Sequence, residues 1–373
     1  MIKLVYAGNG LNPYDSFFLG HLSTKFNTIL LTFYENEVEN IDVHIMPELV
    51  KRLPVLDGVR IHSSIPLRTL IIRQYLNSLK PDVLIGNYAT SYGFYSALSG
   101  YHPFILFVWG SDVLIEPKFL PFRFMAKYAL RVADAVVVDS KVQLEACIKL
   151  GCDVSKIVRF PWFDAQSTIK KLDEYKRQQG KWNKRFKRLE GHPVVICTRR
   201  HRPVYDVGTL IEAIPFVLEK AADTRFLIIG QGELTEKLMR RAEQLGVSSS
   251  VVFTGWIPKS QVLKFLSLAD IYVSTSLSDG TSASLLEAMA CGLPVIVTDI
   301  PGNREWIKNM KNGILVPTRD PRGLAKRIIM LVNDRKLRRK LGRNALKTVS
   351  ERANWSKNSK VLDDLIERLA ERK

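Results

Sequence analysis

Short β-branched runs alternate with amphipathic helical stretches along the whole chain, and the alternation restarts near residue 194. Parallel strands need a long crossover between neighbours, so this rhythm predicts α/β architecture built on parallel sheets. Strands are expected at residues 3–7, 82–85, 104–108 and 134–138 in the first half. The second half offers 194–198, 226–229, 251–253, 271–274, 295–298 and 313–316. Helices are expected at 119–132 and 141–150. At 373 residues the chain is long for one core, and two domains are the expectation.

Composition narrows the function classes. The chain is 46% hydrophobic and 25% charged, which suits a globular protein. No run approaches the about 18 apolar residues that a membrane-spanning helix needs. The apolar start Met1–Ala7 breaks at Gly8-Asn9-Gly10, which reads as a first strand entering a tight loop and not as a signal peptide. Cys147, Cys152, Cys197 and Cys291 show no Cys-x-x-Cys spacing, so reduced thiols in a cytoplasmic protein are expected. The histidines His21, His44, His62, His102 and His192 have no ligand-like spacing and are read as structural. A formal charge of +18 suits nucleic acid, an anionic membrane or phosphorylated substrates, and does not choose between them.

One segment belongs to neither half. Residues 167–191 carry nine cations against Asp173, Glu174 and Glu190, with Ile169, Leu172, Trp182, Phe186 and Leu189 at roughly helical spacing and Gly180 as a break. They are read as a basic hinge helix, exposed and able to meet an anionic membrane. Residues 118–128 also mix cations with large apolars, as interfacial helices do.

The densest signal is the run from Ser276 to Thr298, S-L-S-D-G-T-S-A-S-L-L-E-A-M-A-C-G-L-P-V-I-V-T. A strand ends in a polar loop, Gly280 permits unusual backbone angles, and Ser282 or Ser284 can cap the helix that follows. The free N–H groups and dipole at that helix start suit an anion such as a diphosphate. Asp279 and Glu287, eight residues apart, fall where ligands bind in open α/β sheets.

This run resembles the Glu-x7-Glu signature of the retaining glycosyltransferases of family four, the glycogen-synthase-like and sucrose-synthase-like group. The resemblance implies a GT-B fold, two Rossmann-like domains facing across a cleft. It also implies that Glu287 binds ribose hydroxyls and that Asp279, in place of the first glutamate, holds hydroxyls of the donor sugar. The family's Arg-x4-Lys pair on the donor diphosphate falls on Arg200 and Tyr205. The lost lysine charge leaves Arg199, His201 or Arg202 to compensate. Gly230-Gln231-Gly232 resembles the family's glycine turn, Trp256-Ile257 the loop near the nucleobase, and Trp109-Gly110-Ser111-Asp112 its His-Gly-Ser-Asp. Asn9, Gly10, Thr281 and Leu286 complete the expected donor contacts, with Trp109 and Asp112 on the acceptor or cleft side.

The resemblance divides the chain into an acceptor domain (1–166), a basic linker (167–191), a donor domain (192–352) and a last helix (353–373) packing back toward the first domain. The function expected is transfer of a sugar from a UDP-, GDP- or ADP-sugar, with retention and no obligate metal or cofactor. The acceptor is lipid-linked, a glycan or a polysaccharide, met at the cytoplasmic membrane face through loops 8–14 and 87–93. Competing readings are a GT-B epimerase or phosphorylase, a catalytically degenerate sugar-nucleotide binder, and a basic nucleic-acid-binding protein. Nothing resembles a nucleic-acid module, so no nucleic-acid partner is expected.

Overall fold

The computed structural model describes residues 1–10, 13–35, 37–38, 41–47, 65–177 and 184–372. His62, Gly180, Trp182 and residues 11–12 of the first acceptor loop lie outside them. The chain forms two compact units, Met1–Phe160 with Lys357–Lys373, and Pro161–Ser356.

The first unit holds β1 (Lys3–Ala7), β2 (Asn27–Thr32), β3 (Asp42–Ile45), β4 (Val83–Asn87), β5 (Phe104–Phe107), β6 (Ala135–Val138) and β7 (Ile157–Arg159). They pair in parallel in the order β3-β2-β1-β4-β5-β6-β7, so the order reverses between β1 and β4. Val5 sits opposite Ile29 on one side and Leu84 on the other, and all three are buried. Such apolar strands are what a sheet covered by helices on both faces requires. The last helix, Trp355–Ala370, falls mostly in this unit, where His21 Nε2 meets Asp363 Oδ1 at 2.7 Å.

The second unit holds β8 (Val194–Cys197), β9 (Arg225–Ile229), β10 (Val251–Gly255), β11 (Ile271–Ser274), β12 (Val295–Thr298) and β13 (Ile314–Val316). Their order is β10-β9-β8-β11-β12-β13, again all parallel, with the reversal between β8 and β11. One face packs Leu285, Leu286, Met289 and Trp306 into a core, and the other packs Val207, Leu210, Ile214 and Ile328.

The expected basic hinge differs from what is found. Its first part is the helix Ala165–Arg177, whose Leu172 is buried and whose Ile169 and Tyr175 pack on the second unit's core. Phe186 and Leu189 are buried in the same core, Phe186 edge-on to Phe265 at 4.8 Å. The described part is therefore a structural piece of the second unit, because its apolar stripe is satisfied there, while charged residues of both signs, such as Lys170, Lys171, Asp173 and Glu174, stay exposed. All four cysteines are free, three of them buried.

Helix Arg335–Arg352 crosses the end of helix Ala283–Ala290 at Gly342, where an added Cβ would stand 2.0 Å from the Gly292 carbonyl oxygen. Glycine inside a helix costs about 1 kcal/mol relative to alanine, so close approach is the reason for it here. Gly342→Ala should destabilise the chain by about 1–3 kcal/mol, read as a lower Tm, despite alanine's better helix propensity.

Candidate active site

In the second unit the chain leaves β8 as Thr198-Arg199-Arg200 and leaves β11 as the loop to Ser282. These are carboxyl ends flanking the reversal of strand order, where open α/β sheets form a ligand crevice. The backbone path after β8 is set by two glycines. Gly230 takes φ +131, and a Cβ there would stand 2.5 Å from the Arg199 carbonyl oxygen. One on Gly232 would stand 2.4 Å from that of His201. The glycine turn thus makes room for residues 199–201, and His201 N donates to Gln231 O at 3.2 Å.

That path turns Arg199 inward and Arg200 outward. Arg199, 8% exposed, donates from Nη2 to Asp279 Oδ2 at 2.6 Å. Its Nη1 donates to Ser282 Oγ at 2.6 Å and Ser284 Oγ at 2.8 Å. Its guanidinium lies over the Tyr205 ring, 4.1 Å from the centroid, a cation–π contact. Tyr272 OH donates to Ser284 Oγ at 2.9 Å, extending the network to β11. Burial opposes the charge on Arg199, but Asp279 and the Tyr272 and Tyr205 phenols outweigh it, so the guanidinium holds its proton more firmly than usual.

The neighbours of Tyr205 differ in how they stand to it. Arg199 brings a cation onto the tyrosine ring itself. His201 is buried beside Phe253 with Nδ1 bonded to Thr235 Oγ1 at 2.9 Å, and burial lowers its pKa, so it stays neutral near pH 7. Arg200 and Arg202 are exposed and lie outside the network. The Tyr205 turn is tied to the Asp279 loop, Leu277 N donating to Val204 O at 2.8 Å and Thr275 Oγ1 to Asp206 O at 2.8 Å.

Several expectations are corrected here. Gly280 is not among the glycines with positive φ. Its carbonyl and that of Asp279 instead face Gly302, where a Cβ would come within 2.3 and 2.4 Å of the two oxygens. Ser282 stands at the N-cap of helix Ala283–Ala290 but makes no cap bond, because its hydroxyl accepts from Arg199; Ser284 is likewise engaged. Leu286 is fully buried in the core, which removes its side chain from any ligand. Glu287, in the second turn of that helix, is 7% exposed. Thr281 and Ile257 are half-buried, and Trp256 is exposed just past β10.

In the first unit a cavity of about 410 Å³ opens at the carboxyl ends flanking the β1/β4 reversal. Asn9, Asp15, Arg68, Asn87, Tyr92 and Trp109 are among its lining. Gly10 takes φ +74 and donates its N–H to Asp15 Oδ2 at 2.9 Å, while Tyr6 OH donates to Asp15 Oδ1 at 2.6 Å. Burial pushes the Asp15 carboxyl up to about 6 against those two bonds. Asp15 carried no sequence signal, since it sits in no recognisable motif. Trp109 Nε1 donates to Asn87 Oδ1 at 3.2 Å and faces the cavity. Asp112 does not line it. Its fully buried carboxylate accepts from the N–H groups of Ala89 (2.8 Å), Gly110 (2.8 Å) and Trp109 (3.1 Å), clasping two loops.

Burial raises Asp112 from 3.8 to about 7, with Glu116 adding to the shift and the three N–H donors opposing it. Between those values the folded chain holds a proton that the unfolded chain has lost. Stability from this group therefore falls as pH rises from about 4 to about 7, by up to about 1.4 kcal/mol per pH unit. Chemical denaturation should show Asp112→Asn losing more stability relative to wild type at pH 5 than at pH 7.5. An equal loss at both would contradict the assignment.

Among the described residues no group of three or more His, Cys, Asp or Glu side chains is placed to hold a metal ion. No described helix is long and apolar enough to cross a membrane.

Comparison with known proteins agrees with this geometry. Residues 178–348 match the family described as glycosyl transferases group 1, and residues 31–140 match glycosyl transferase 4-like. An uncharacterized glycosyltransferase of Methanocaldococcus jannaschii, MJ1178, is 27% identical over 332 residues, 87% of this chain and 84% of its own. A second, MJ1607, is 34% identical over 151 residues, 40% of this chain and 38% of its own, so here the match spans little more than a third of the relative. The crystal structure of Anabaena HepE in complex with UDP-glucose superposes with a TM-score of 0.78 at 18% identity, covering 98% of this chain and 99% of that one. Two doubly wound parallel sheets share the GT-B fold of that structure, and residues 31–140 and 178–348 are similar to two glycosyltransferase families in chain order.

Proposed function

We propose that the chain transfers a hexose from a nucleotide-sugar donor to a lipid-linked, glycan or polysaccharide acceptor at the cytoplasmic membrane face, retaining anomeric configuration. The observation that carries the reading is buried Arg199 paired with half-buried Asp279 inside a serine collar, Asp279 lying eight residues before the buried Glu287. Glu287 takes the ribose hydroxyls, and Asp279 takes hydroxyls of the donor sugar. Arg199 acts as a positioning residue that fixes the Asp279 carboxylate.

Cleavage of a glycosyl–phosphate bond builds positive charge on the sugar carbon and negative charge on the leaving diphosphate. Exposed Arg200 and the main-chain N–H groups of residues 280–284, at a helix start, are the groups available to meet that negative charge. The leaving phosphate oxygen takes the proton from the acceptor hydroxyl on the face from which it departs, which gives retention without a protein base. The first-unit cavity, with Trp109 as an aromatic wall and Asn9 and Asp15 as polar ones, takes the acceptor.

Five results test this. Calorimetry with a panel of UDP, GDP and ADP sugars should find one nucleotide class that binds equally with Mg²⁺ and with EDTA. Glu287→Ala should weaken that binding at least about tenfold by removing charge-assisted hydrogen bonds, and unchanged affinity would sink the donor site. Asp279→Ala should leave affinity for the free nucleotide intact while lowering turnover on the order of a hundredfold. Gly302→Ala should fold yet lose turnover, since its Cβ displaces the Asp279 and Gly280 carbonyls. The anomeric proton coupling of the product, read by NMR, reports retention directly.

A further inference from the structure

Helix Leu120–Val132 has two faces that differ in kind. Phe122, Met125, Ala126, Ala129 and Leu130 are buried against the first unit's core. The opposite face presents Leu120, Arg123, Phe124, Lys127 and Arg131, spaced by three, four, seven and eleven residues, one stripe of a helix. On it Leu120 is 75% and Phe124 66% exposed, and Phe119 in the preceding turn is 44% exposed. Other exposed large apolars, such as Ile148, Met239 and Trp256, lie apart along the chain. Single exposed apolars are ordinary, whereas a cluster rimmed by polar groups marks a contact surface.

The rim is of one sign. From Lys118 to Ala133 the sequence holds four cations and no acid. The acids at either end are engaged: Glu116 accepts from Tyr88 OH at 2.5 Å and from Thr90, and Asp134 meets His102 Nδ1 at 2.7 Å. The aromatic side chains on this face are held by one another. Phe124 stacks on Tyr128 with centroids 6.5 Å apart, and Tyr128 is held edge-on by Phe94 at 5.9 Å. Arg123 Nε donates to Pro117 O at 2.8 Å, which fixes the turn that raises Phe119 and Leu120.

We propose that this face, Lys118 to Arg131, docks the first unit onto an anionic lipid bilayer, the apolar side chains entering the headgroup boundary and the cations meeting lipid phosphates. Charge complementarity selects the occupant: a cationic rim around exposed apolars matches a negatively charged interface. In the basic segment that the sequence favoured for this role, the described apolars instead pack in the second unit's core. The inference deepens the proposed function by naming the surface that brings the enzyme to a membrane acceptor, and it rests on that reading only for its purpose.

Flotation of the full chain with vesicles tests it, using phosphatidylcholine alone and phosphatidylcholine mixed with phosphatidylglycerol. The wild type should float with the mixed vesicles at least about tenfold more than with the neutral ones, and salt should weaken it. Leu120→Gln with Phe124→Gln should abolish flotation. Lys127→Gln with Arg131→Gln should remove the preference for phosphatidylglycerol. All these positions are exposed, so folding is preserved, and nucleotide-sugar affinity measured on the same samples should be unchanged. Loss of that affinity in wild type would count against the transferase reading and leave docking standing. Absence of wild-type flotation, or variants that float like wild type, would overturn the docking surface.

Discussion

A guanidinium–carboxylate pair organises the second unit's crevice. Burying Arg199 and partly burying Asp279 is costly, and their attraction offsets that cost only with near-ideal geometry and further hydrogen bonds. Both conditions are met: a 2.6 Å contact, two serine hydroxyls on the second guanidinium nitrogen and an aromatic ring beneath it. The pair joins the segment after β8 to the loop after β11 across the reversal in strand order. Two glycine contacts give it room, Gly230 beneath the Arg199 carbonyl and Gly302 beneath those of Asp279 and Gly280.

Tyr205, where the resemblance would put a lysine, lies under the Arg199 guanidinium. That charge is delocalised and planar, suited to holding a carboxylate in one orientation. Aspartate at 279 is shorter than glutamate, and the arginine that reaches it is long.

Much of the fold was legible because each buried strand is a short β-branched run bounded by turn residues. Ile271–Ser274 and Val295–Thr298 were read with their observed bounds. Asn27–Thr32, Asp42–Ile45 and Ile157–Arg159 were missed, the latter two being edge strands of four and three residues with little apolar signal. The loop and helix carrying Asp279 and Glu287 were legible as a motif. The inward turn of Arg199 was not, because adjacent arginines differ only in which way the backbone points them, and that depends on glycines about thirty residues away. Capping by Ser282 failed for a related reason: the hydroxyl had a stronger, charged partner. Asp112 was read by its place beside Trp109, yet its three backbone bonds turn it into a clasp.

The most direct test of the central claim is a double-mutant cycle of Arg199→Gln and Asp279→Asn on donor affinity, measured by calorimetry with the nucleotide sugar that binds the wild type. If Arg199 acts by holding Asp279, the double variant should bind about as weakly as the worse single variant, a coupling of at least about 1 kcal/mol. Losses that simply add would show that the two side chains act independently and would contradict the account.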